Sequence, residues 1–538
     1  MWHWDETLNM KRFSQLSRNT LLVAFSIGAN KVLAILRQLI IARQFGLSSE
    51  LDVFNVANNV PDMLYSLVSG GALAMAIIPV LSEVITKKDR AESWKVFSQV
   101  ANIAFLLTAI LSVFVALFAW PLVQHSLGIA PGFTIEQQAL VVRLMRLNLV
   151  ATLIFSMAGL LIAGLQANQH FLFPAIAPIL YNIGQIFGAI VLAPETGYSL
   201  RGFTLPAFGM GVDGLVYGVL VGSALFFLIQ VPGLIICKFK WHPQITLNHP
   251  DVRKILTMLG PRVASMLFYQ LTFIARDNIA SRLPLGSVTA LTYGWMIQQV
   301  PETLIGTAIG TAILPTISAL VAKKDLQEFK ATTERVMRVM IGISIPASVL
   351  LAVVLPPFIQ FAFGFEARES SILLWTTRAF LAGLLGHVML ELGSRLFFAR
   401  QNATIPLAGS ALNLAIYILA GSVLGQWLQA HGVGLADSIA FTVQAIFLLG
   451  IFAWQMKREP GYADTSSKGK PTLLSAAIGS TVFRALLGSL LAAVAGWLVM
   501  TYLDGLLPDL FVGVLAALFS SILLLPVILP EVKIAFKL

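Results

Sequence analysis

Residues 19–42 read NTLLVAFSIGANKVLAILRQLIIA, an apolar run long enough to cross a lipid bilayer as one α-helix. A spanning helix needs about 20 mostly apolar residues, and the chain contains about fourteen such runs. The remaining runs cover residues 52–85, 96–122, 138–165, 171–194, 207–237, 256–281, 287–321, 336–363, 371–398, 404–425, 432–456, 474–502 and 510–531. The sequence therefore predicts an all-α polytopic membrane protein with about fourteen transmembrane helices.

The composition favours the same class. The 538 residues are 57% hydrophobic and only 12% charged, whereas soluble domains carry about 25% charged residues. Charge is scarce in membrane spans because a charged side chain in hydrocarbon costs at least about 2.5 kcal/mol. The net charge of +10 lies in short loops between apolar runs, which indicates membrane lipids rather than nucleic acid as its partner.

The loops also indicate an orientation. Roughly twenty Lys and Arg residues lie in the even-numbered connections and the tail, against about four in the odd-numbered connections. This positive-inside asymmetry predicts that both termini are cytoplasmic. The long polar tract 458–473 (EPGYADTSSKGKPTL with the preceding Arg458) indicates a cytoplasmic linker that separates the first twelve helices from the last two.

The chain contains an internal repeat. Residues 37–46 (RQLIIARQFG) and 276–286 (RDNIASRLPLG) both show Arg, five residues, Arg and then Gly. Residues 58–62 (NNVPD) correspond in the same order to residues 298–302 (QQVPE). A duplicated six-helix unit explains these matches, and an even helix number makes the copies parallel. We expect two lobes, 1–240 and 241–457, around a central cavity, followed by a final helix pair at 474–538.

Four prolines lie inside the second and eighth predicted helices: Pro61, Pro79, Pro301 and Pro315. Each removes a backbone hydrogen bond and so favours a kink. We expect these positions to act as hinges or gates when the lobes rock about a central cavity.

Charged residues within the predicted spans are the candidate substrate-binding groups. The set is Lys31, Arg37, Asp52, Arg262 and Arg276. The alternative is that such a side chain reaches an interface or pairs locally. The excess of Lys and Arg in the two helices that begin the repeats predicts an anionic substrate. A diphosphate head group fits, because the planar guanidinium fork binds phosphate oxygens in pairs.

A further polar set, His387, Glu391 and Arg395, lies on one face of the tenth predicted helix. It fits a polar relay and an internal ion pair equally well. The sequence shows no Walker A motif, no His-Glu-x-x-His and no nucleophile–base set. We therefore expect neither enzymatic activity nor a metal site.

The chain resembles the MviN/MurJ family. The resemblance rests on Leu36–Arg37 through Ala42, Phe45–Gly46, Asp52, Pro61, Gly71–Ala72 and Pro79. It implies a flippase of the bacterial inner membrane that moves lipid II, an undecaprenyl-diphosphate-linked peptidoglycan precursor, by alternating access. It also implies energy from a sodium or proton gradient or the membrane potential, no other cofactor, a monomer, and a lipid-tail groove formed by the final helix pair.

The chain departs from the family pattern at several positions. The stretch 65–72 (YSLVSGGA) lacks the family's paired arginines and glutamate, Gln38 replaces an Asp, and Trp295, Met296 and Gln299 replace charged residues. Other hypotheses are a flippase for another lipid-linked polysaccharide, a drug or metabolite antiporter of the same superfamily, and a scaffold without transport. A membrane glycosyltransferase is disfavoured because no catalytic acid stands out.

Overall fold

The computed structural model describes residues 4–68, 71–200, 202–246, 249–458, 476–503 and 505–535. The predicted linker 458–473 lies outside these residues except for Arg458. The chain forms two compact units, Met1–Gln270 and Leu271–Leu538, and the boundary falls inside one long helix, Pro250–Ala280. The lobe boundary at 240/241 stays a prediction.

Unit 1 is built from α-helices and one short hairpin. Its helices are α1 (Trp4–Phe45), α2 (Ser49–Val68), α3 (Gly71–Lys87), α4 (Arg90–Leu117), α5 (Ala119–Gln124), α6 (Ile135–Ala167), α7 (Leu172–Phe187), α8 (Val212–Leu228), α9 (Val231–Ile236) and the first part of α10 (Pro250–Ala280). The π-helical turn Gly188–Leu192 extends α7, and the two-residue strands β1 (Ser199–Leu200) and β2 (Phe203–Thr204) pair antiparallel between α7 and α8.

The helix α6 is the centre of unit 1. It packs against α2, α3, α4 and α8, and it begins with a capping box in which Thr134 and Gln137 satisfy each other's backbone N–H groups. The core between α3, α4 and α6 contains Trp94 and Phe97, both fully buried. The Trp94 indole donates a hydrogen bond to the carbonyl of Cys237 at 3.1 Å, so even this apolar core leaves no ring N–H unpaired.

Two glycine pairs let α7 and α8 approach closely. A Cβ on Gly184 would collide with the backbone of Gly222, and a Cβ on Gly188 would collide with Gly218. Small residues at helix interfaces are the usual route to close packing in a membrane, where apolar burial drives no association.

Unit 2 contains the rest of α10 and eight further helices. These are α11 (Ser287–Glu302), α12 (Ala308–Lys323), α13 (Leu326–Phe363), α14 (Ala367–Ala382), α15 (Leu384–Ala399), α16 (Thr404–Arg458), α17 (Ala476–Leu503) and α18 (Asp509–Ala535). A π-helical turn, Thr303–Thr307, connects α11 to α12. The backbone of α16 breaks at Gln429 (φ 54°, ψ −137°), so it consists of two helices in succession.

The helix α13 anchors the final helix pair, because both α17 and α18 pack against it. At one end of this contact Glu531 is buried and accepts hydrogen bonds from Arg484 at 2.7 Å and Thr481 at 3.0 Å. Arg338 of α13 lies 3.7 Å from the same carboxylate. The buried charge is therefore paired, as a charge at this position requires.

The predicted fold class is confirmed. Each predicted span coincides with a helix or with two consecutive helices. Eleven helical segments of the described residues are long and apolar enough to cross a membrane. Counting α16 as two spans and adding the α2–α3 pair and α10 gives about fourteen crossings.

Candidate functional site

The first candidate site lies in unit 1 and is called here the N-terminal polar cluster: Arg37, Asp62, Tyr65 and Tyr181. Arg37 of α1 is partly exposed and Asp62 of α2 is exposed, and their charges interact. Tyr65 lies three residues after Asp62, which places both on one face of α2. Tyr181 of α7 lies close enough to interact electrostatically with Arg37, Asp62 and Tyr65.

Aromatic packing holds the two tyrosines of this cluster in place. The ring of Phe155 lies 5.6 Å from that of Tyr65 and 4.7 Å from that of Tyr181, and Phe226 packs against Phe155 at 5.3 Å. Such edge and tilted contacts fix ring positions while each phenol keeps a polar end. The cluster therefore presents one guanidinium, one carboxylate and two phenols on a rigid apolar base.

Side-chain amides connect the helices that carry the cluster. Asn148 of α6 donates to Asn58 of α2 at 2.5 Å, and Asn182 of α7 donates to Asn30 of α1 at 2.8 Å. Gln270 of α10 donates to Ser66 of α2 at 2.6 Å. Amide hydrogen bonds between helices position them in lipid, where unpaired polar groups are costly.

The other predicted residues of unit 1 lie in different surroundings. Lys31 is exposed on α1, six residues before Arg37. Asp52 is 2% exposed and lies in the first turn of α2, where a carboxylate is favoured by the helix dipole. Arg262 lies within α10, and its side chain lies outside the described part of the structure. Their roles in substrate binding stay predictions.

Unit 2 contains a second polar group, the C-terminal ionic network: Arg276, Asp277, His387, Tyr417 and Asp437. The Arg276 guanidinium lies 3.1 Å from the Asp277 carboxylate, and their side chains are 7% and 0% exposed. Tyr417 of α16 lies close enough to this pair and to Asp437 to interact electrostatically with all three charges. Arg276 thus has a local charge partner, the alternative considered for it, and its predicted substrate contact stays a prediction.

The predicted polar face of the tenth span divides into two pairs. Glu391 and Arg395 form an ion pair at 3.0 Å along α15. His387 instead contacts Asp437 of α16 at 2.9 Å, and both side chains are almost fully buried. The half-buried Glu302 interacts electrostatically with both His387 and Glu391. The face therefore contains an ion pair and a buried His–Asp contact that sequence reasoning did not anticipate.

The four predicted hinge prolines lie inside helices: Pro61 in α2, Pro79 in α3, Pro301 in α11 and Pro315 in α12. Pro301 comes two residues before the π-helical turn Thr303–Thr307. Widened turns of this kind are common at functional sites. Their action as hinges stays a prediction.

Sequence reasoning missed Asp437 and assigned no role to Tyr65 or Tyr181. Asp437 is a lone acid in the apolar run 432–456, and this isolation was the available signal. Tyrosines carry no such signal, because they are common at membrane interfaces. Among the described side chains, no group of three or more His, Cys, Asp or Glu could hold a metal ion.

Comparisons of the sequence with known proteins identify one family. Residues 41–512 match the family model described as "Lipid II flippase MurJ". The lipid II flippase MurJ of Burkholderia cenocepacia is 27% identical over 417 residues, which cover 76% of this chain and 77% of that protein. The probable lipid II flippase MurJ of Haemophilus influenzae is 25% identical over 438 residues, covering 78% and 82%.

Solved structures support the fold. A lipid II flippase MurJ in an inward closed conformation aligns with a TM-score of 0.72 at 22% identity, covering 93% of this chain and 98% of that one. An inward-facing MATE family multidrug transporter of the MOP superfamily aligns with a TM-score of 0.65 at 16% identity, covering 81% and 96%. Because the family model spans most of the sequence, the chain belongs to the MurJ family.

Proposed function

We propose that the chain is a lipid II flippase that moves this diphosphate-linked precursor from the cytoplasmic to the outer leaflet of the bacterial inner membrane. Family membership supports this function over drug antiport. The single structural observation that carries it is Arg37, a guanidinium that remains partly exposed on a membrane helix. A charged side chain within a membrane span costs free energy, so such a residue is a candidate functional group by default.

The chemistry of the N-terminal polar cluster suits a diphosphate. Arg37 offers a planar fork of N–H donors that matches two phosphate oxygens. The charge of Arg37 interacts with that of Asp62, an exposed carboxylate with which a doubly charged head group can compete. Tyr65 and Tyr181 add hydroxyl donors for the remaining oxygens. In this proposal the cluster grips the head group, and Lys31 on the same helix contributes further positive charge.

Movement across the membrane would occur by alternating access. The proline-containing helices α2, α3, α11 and α12 supply kinks, and the π-helical turn after Pro301 supplies a weak point in the backbone ladder. Both termini would be cytoplasmic and the chain would act as a monomer. A sodium gradient, a proton gradient or the membrane potential would provide the energy.

Replacement of a cell's own flippase tests this function. A strain whose lipid II flippase can be depleted would carry this chain as its only substitute. Growth and continued peptidoglycan synthesis are the expected result. Death of the strain while the chain is inserted and stable would overturn the proposal.

Substitution of single arginines separates substrate contact from general damage. Arg37→Ala should abolish rescue, whereas Arg43→Ala, an exposed arginine later on the same helix, should rescue normally. Membrane levels of both variants would be compared by immunoblot. Rescue by Arg37→Ala at normal levels would remove Arg37 from the proposed binding site.

A further inference from the structure

His387 and Asp437 form a buried contact between α15 and α16. The imidazole Nε2 and the carboxylate Oδ2 are 2.9 Å apart, and the two side chains are 8% and 9% exposed. His387 lies near the middle of the continuous segment Ala367–Ala399, which is long and apolar enough to span the membrane. Ionisable groups at such depth are rare in membrane helices and occur in proton relays.

The backbone around this contact is closely packed. A Cβ on Gly383 would approach the Cα of Ser438 to 2.5 Å, so α15 and α16 meet almost backbone to backbone one turn before His387. One face of the imidazole stacks on Phe441, with ring centroids 3.8 Å apart and planes 15° apart. A protonated imidazole is attracted to such a ring face, and the attraction strengthens where water is absent.

Other charged groups face the pair from each neighbouring element. Glu302, at the end of α11, interacts with His387, and Glu391 and Arg395 follow on α15 itself. Tyr417, on the first half of α16, interacts with Asp437 and with Arg276 and Asp277 of α10. Among the described residues, the charges near the pair therefore include a partly exposed ion pair on α15 and, through Tyr417, a buried ion pair on α10.

We propose that the His387–Asp437 pair is a proton-binding site that couples transport to a proton gradient. This inference rests on the proposed flippase function. Imidazole is the side chain whose ordinary charge change falls between about pH 5 and 8, and a hard alkali cation prefers oxygen ligands to an imidazole nitrogen. The two side chains together therefore suit a proton better than an alkali cation such as sodium.

The loading step is balanced as follows. In the empty pair a neutral imidazole donates its Nε2–H to the Asp437 carboxylate, and the pair carries one negative charge. One proton adds at Nδ1, the Nε2–H bond to the carboxylate persists, and the imidazolium–carboxylate pair has no net charge. Release of the same proton restores the empty pair. Because burial penalises net charge, loading stabilises the closed packing of α15 on α16.

A structural connection links this site to the predicted hinge. Gly306, within the π-helical turn, lies against α15 next to His387, since its Cβ would be 3.3 Å from the Cα of Val388. Glu302, which precedes the same turn, interacts directly with the His387 charge. A proton on His387 therefore attracts Glu302 and changes the forces on the irregular segment after Pro301.

The proton is tested directly by histidine-selective ¹⁵N NMR of the chain in nanodiscs from about pH 5 to 9. We expect the ¹⁵N signal of the His387 ring, assigned by its loss in His387→Gln, to change with pH. Asp437→Asn removes the carboxylate that contacts the ring, so it should clearly alter this pH dependence. His431→Gln, a partly buried histidine near the start of the second half of α16, is the control and should leave the His387 titration unchanged.

A His387 ring that keeps one protonation state across the whole range would overturn the proposal. So would a titration that Asp437→Asn does not move. The wild-type titration requires no stable Asp437 variant, so it decides the matter even if that variant fails to insert.

A transport assay distinguishes this inference from the proposed function. Proteoliposomes with lipid II would be held at a fixed membrane potential while an inward proton gradient is imposed. We expect a severalfold faster transport by the wild type and by His431→Gln, and no such stimulation in His387→Gln or Asp437→Asn. A wild-type transport rate that does not depend on the proton gradient would contradict the proposed coupling, but not the proposed flippase function. Absence of any lipid II transport by the wild type would instead contradict the proposed function.

Discussion

The two arginines that the repeat relates, Arg37 and Arg276, occupy opposite environments. Arg37 is partly exposed near two tyrosines, and its charge interacts with that of the exposed Asp62. Arg276 is 6% exposed and contacts Asp277 within a network of buried charged groups. The predicted duplication would thus have preserved the positions of the basic residues but not their surroundings. The open cluster suits an external anion, and the closed network suits an internal charge balance.

The same contrast extends to the acids that follow the shared prolines. Asp62 after Pro61 is exposed beside Arg37, whereas Glu302 after Pro301 is half-buried and faces His387 and Glu391. In the proposed division, unit 1 binds the substrate and unit 2 binds the proton that is coupled to transport. Four substitutions test this division, beginning with the largest expected effect.

Arg276→Ala should lower the free energy of unfolding by about 3–5 kcal/mol, because it leaves the buried Asp277 carboxylate without its cation. Thermal unfolding in detergent, compared with Arg37→Ala, provides the measurement. Arg37→Ala should lower stability less than Arg276→Ala, because Arg37 is partly exposed. Removal of both charges in Arg276→Ala/Asp277→Ala should recover much of the lost stability. Equal destabilisation by Arg276→Ala and Arg37→Ala would contradict the difference between the two environments.

Arg37→Ala should reduce lipid II transport by roughly 100-fold, since charge-assisted hydrogen bonds to a bound anion contribute about 1.5–3 kcal/mol. Arg37→Lys keeps the charge but loses the planar fork, so an intermediate rate is expected. Initial rates in proteoliposomes provide the measurement. Identical rates for the Lys and Ala variants would show that the fork is not used.

Gly383→Ala should cost about 1–3 kcal/mol of stability, because its Cβ would reach the backbone of Ser438 in the tightly packed network. Gly28→Ala on α1 is the matched control, since a Cβ there meets nothing within 4 Å. Thermal unfolding of both variants measures how much stability a methyl group costs at the packed position and at the open position. A stable Gly383→Ala would argue against close packing around His387.

Arg143→Ala should change stability by less than about 1 kcal/mol. Arg143 lies 2.5 Å from Asp213, but its side chain is 60% exposed, so solvent screens the attraction. The loss of stability in this variant can be compared with that in Arg276→Ala, so the two substitutions measure an exposed ion pair of unit 1 and a buried ion pair of unit 2. A loss as large as that of Arg276→Ala would mean that burial does not govern these effects.

The spans could be predicted from the sequence because the membrane imposes a length and an apolar composition on each one. The irregularities within them could not. Pro301 indicated a kink, but it did not indicate the widened turn at Thr303–Thr307, where Gly306 packs against α15. The break in α16 at Gln429 is different, because it lies between the apolar runs 404–425 and 432–456, which the sequence predicted as two separate helices.

For the candidate sites, contacts along one helix could be predicted from the sequence, but contacts between helices could not. Periodicity placed His387, Glu391 and Arg395 on one face of a helix, and the i,i+4 pair of Glu391 and Arg395 follows from that spacing. The partner of His387 could not be identified, because Asp437 lies 50 residues away on another helix. Local patterns describe one helix face, whereas the facing residue depends on tertiary packing.

Transport of lipid II by the purified chain in proteoliposomes is the measurement that tests the central claim most directly. Labelled lipid II would be incorporated in both leaflets, and its accessibility at the outer leaflet would be followed after a membrane potential and an inward proton gradient are imposed. We expect transport by the wild type and by Arg43→Ala, and transport roughly 100-fold slower by Arg37→Ala. Redistribution no faster than in empty liposomes, with stably folded protein, would contradict the central claim.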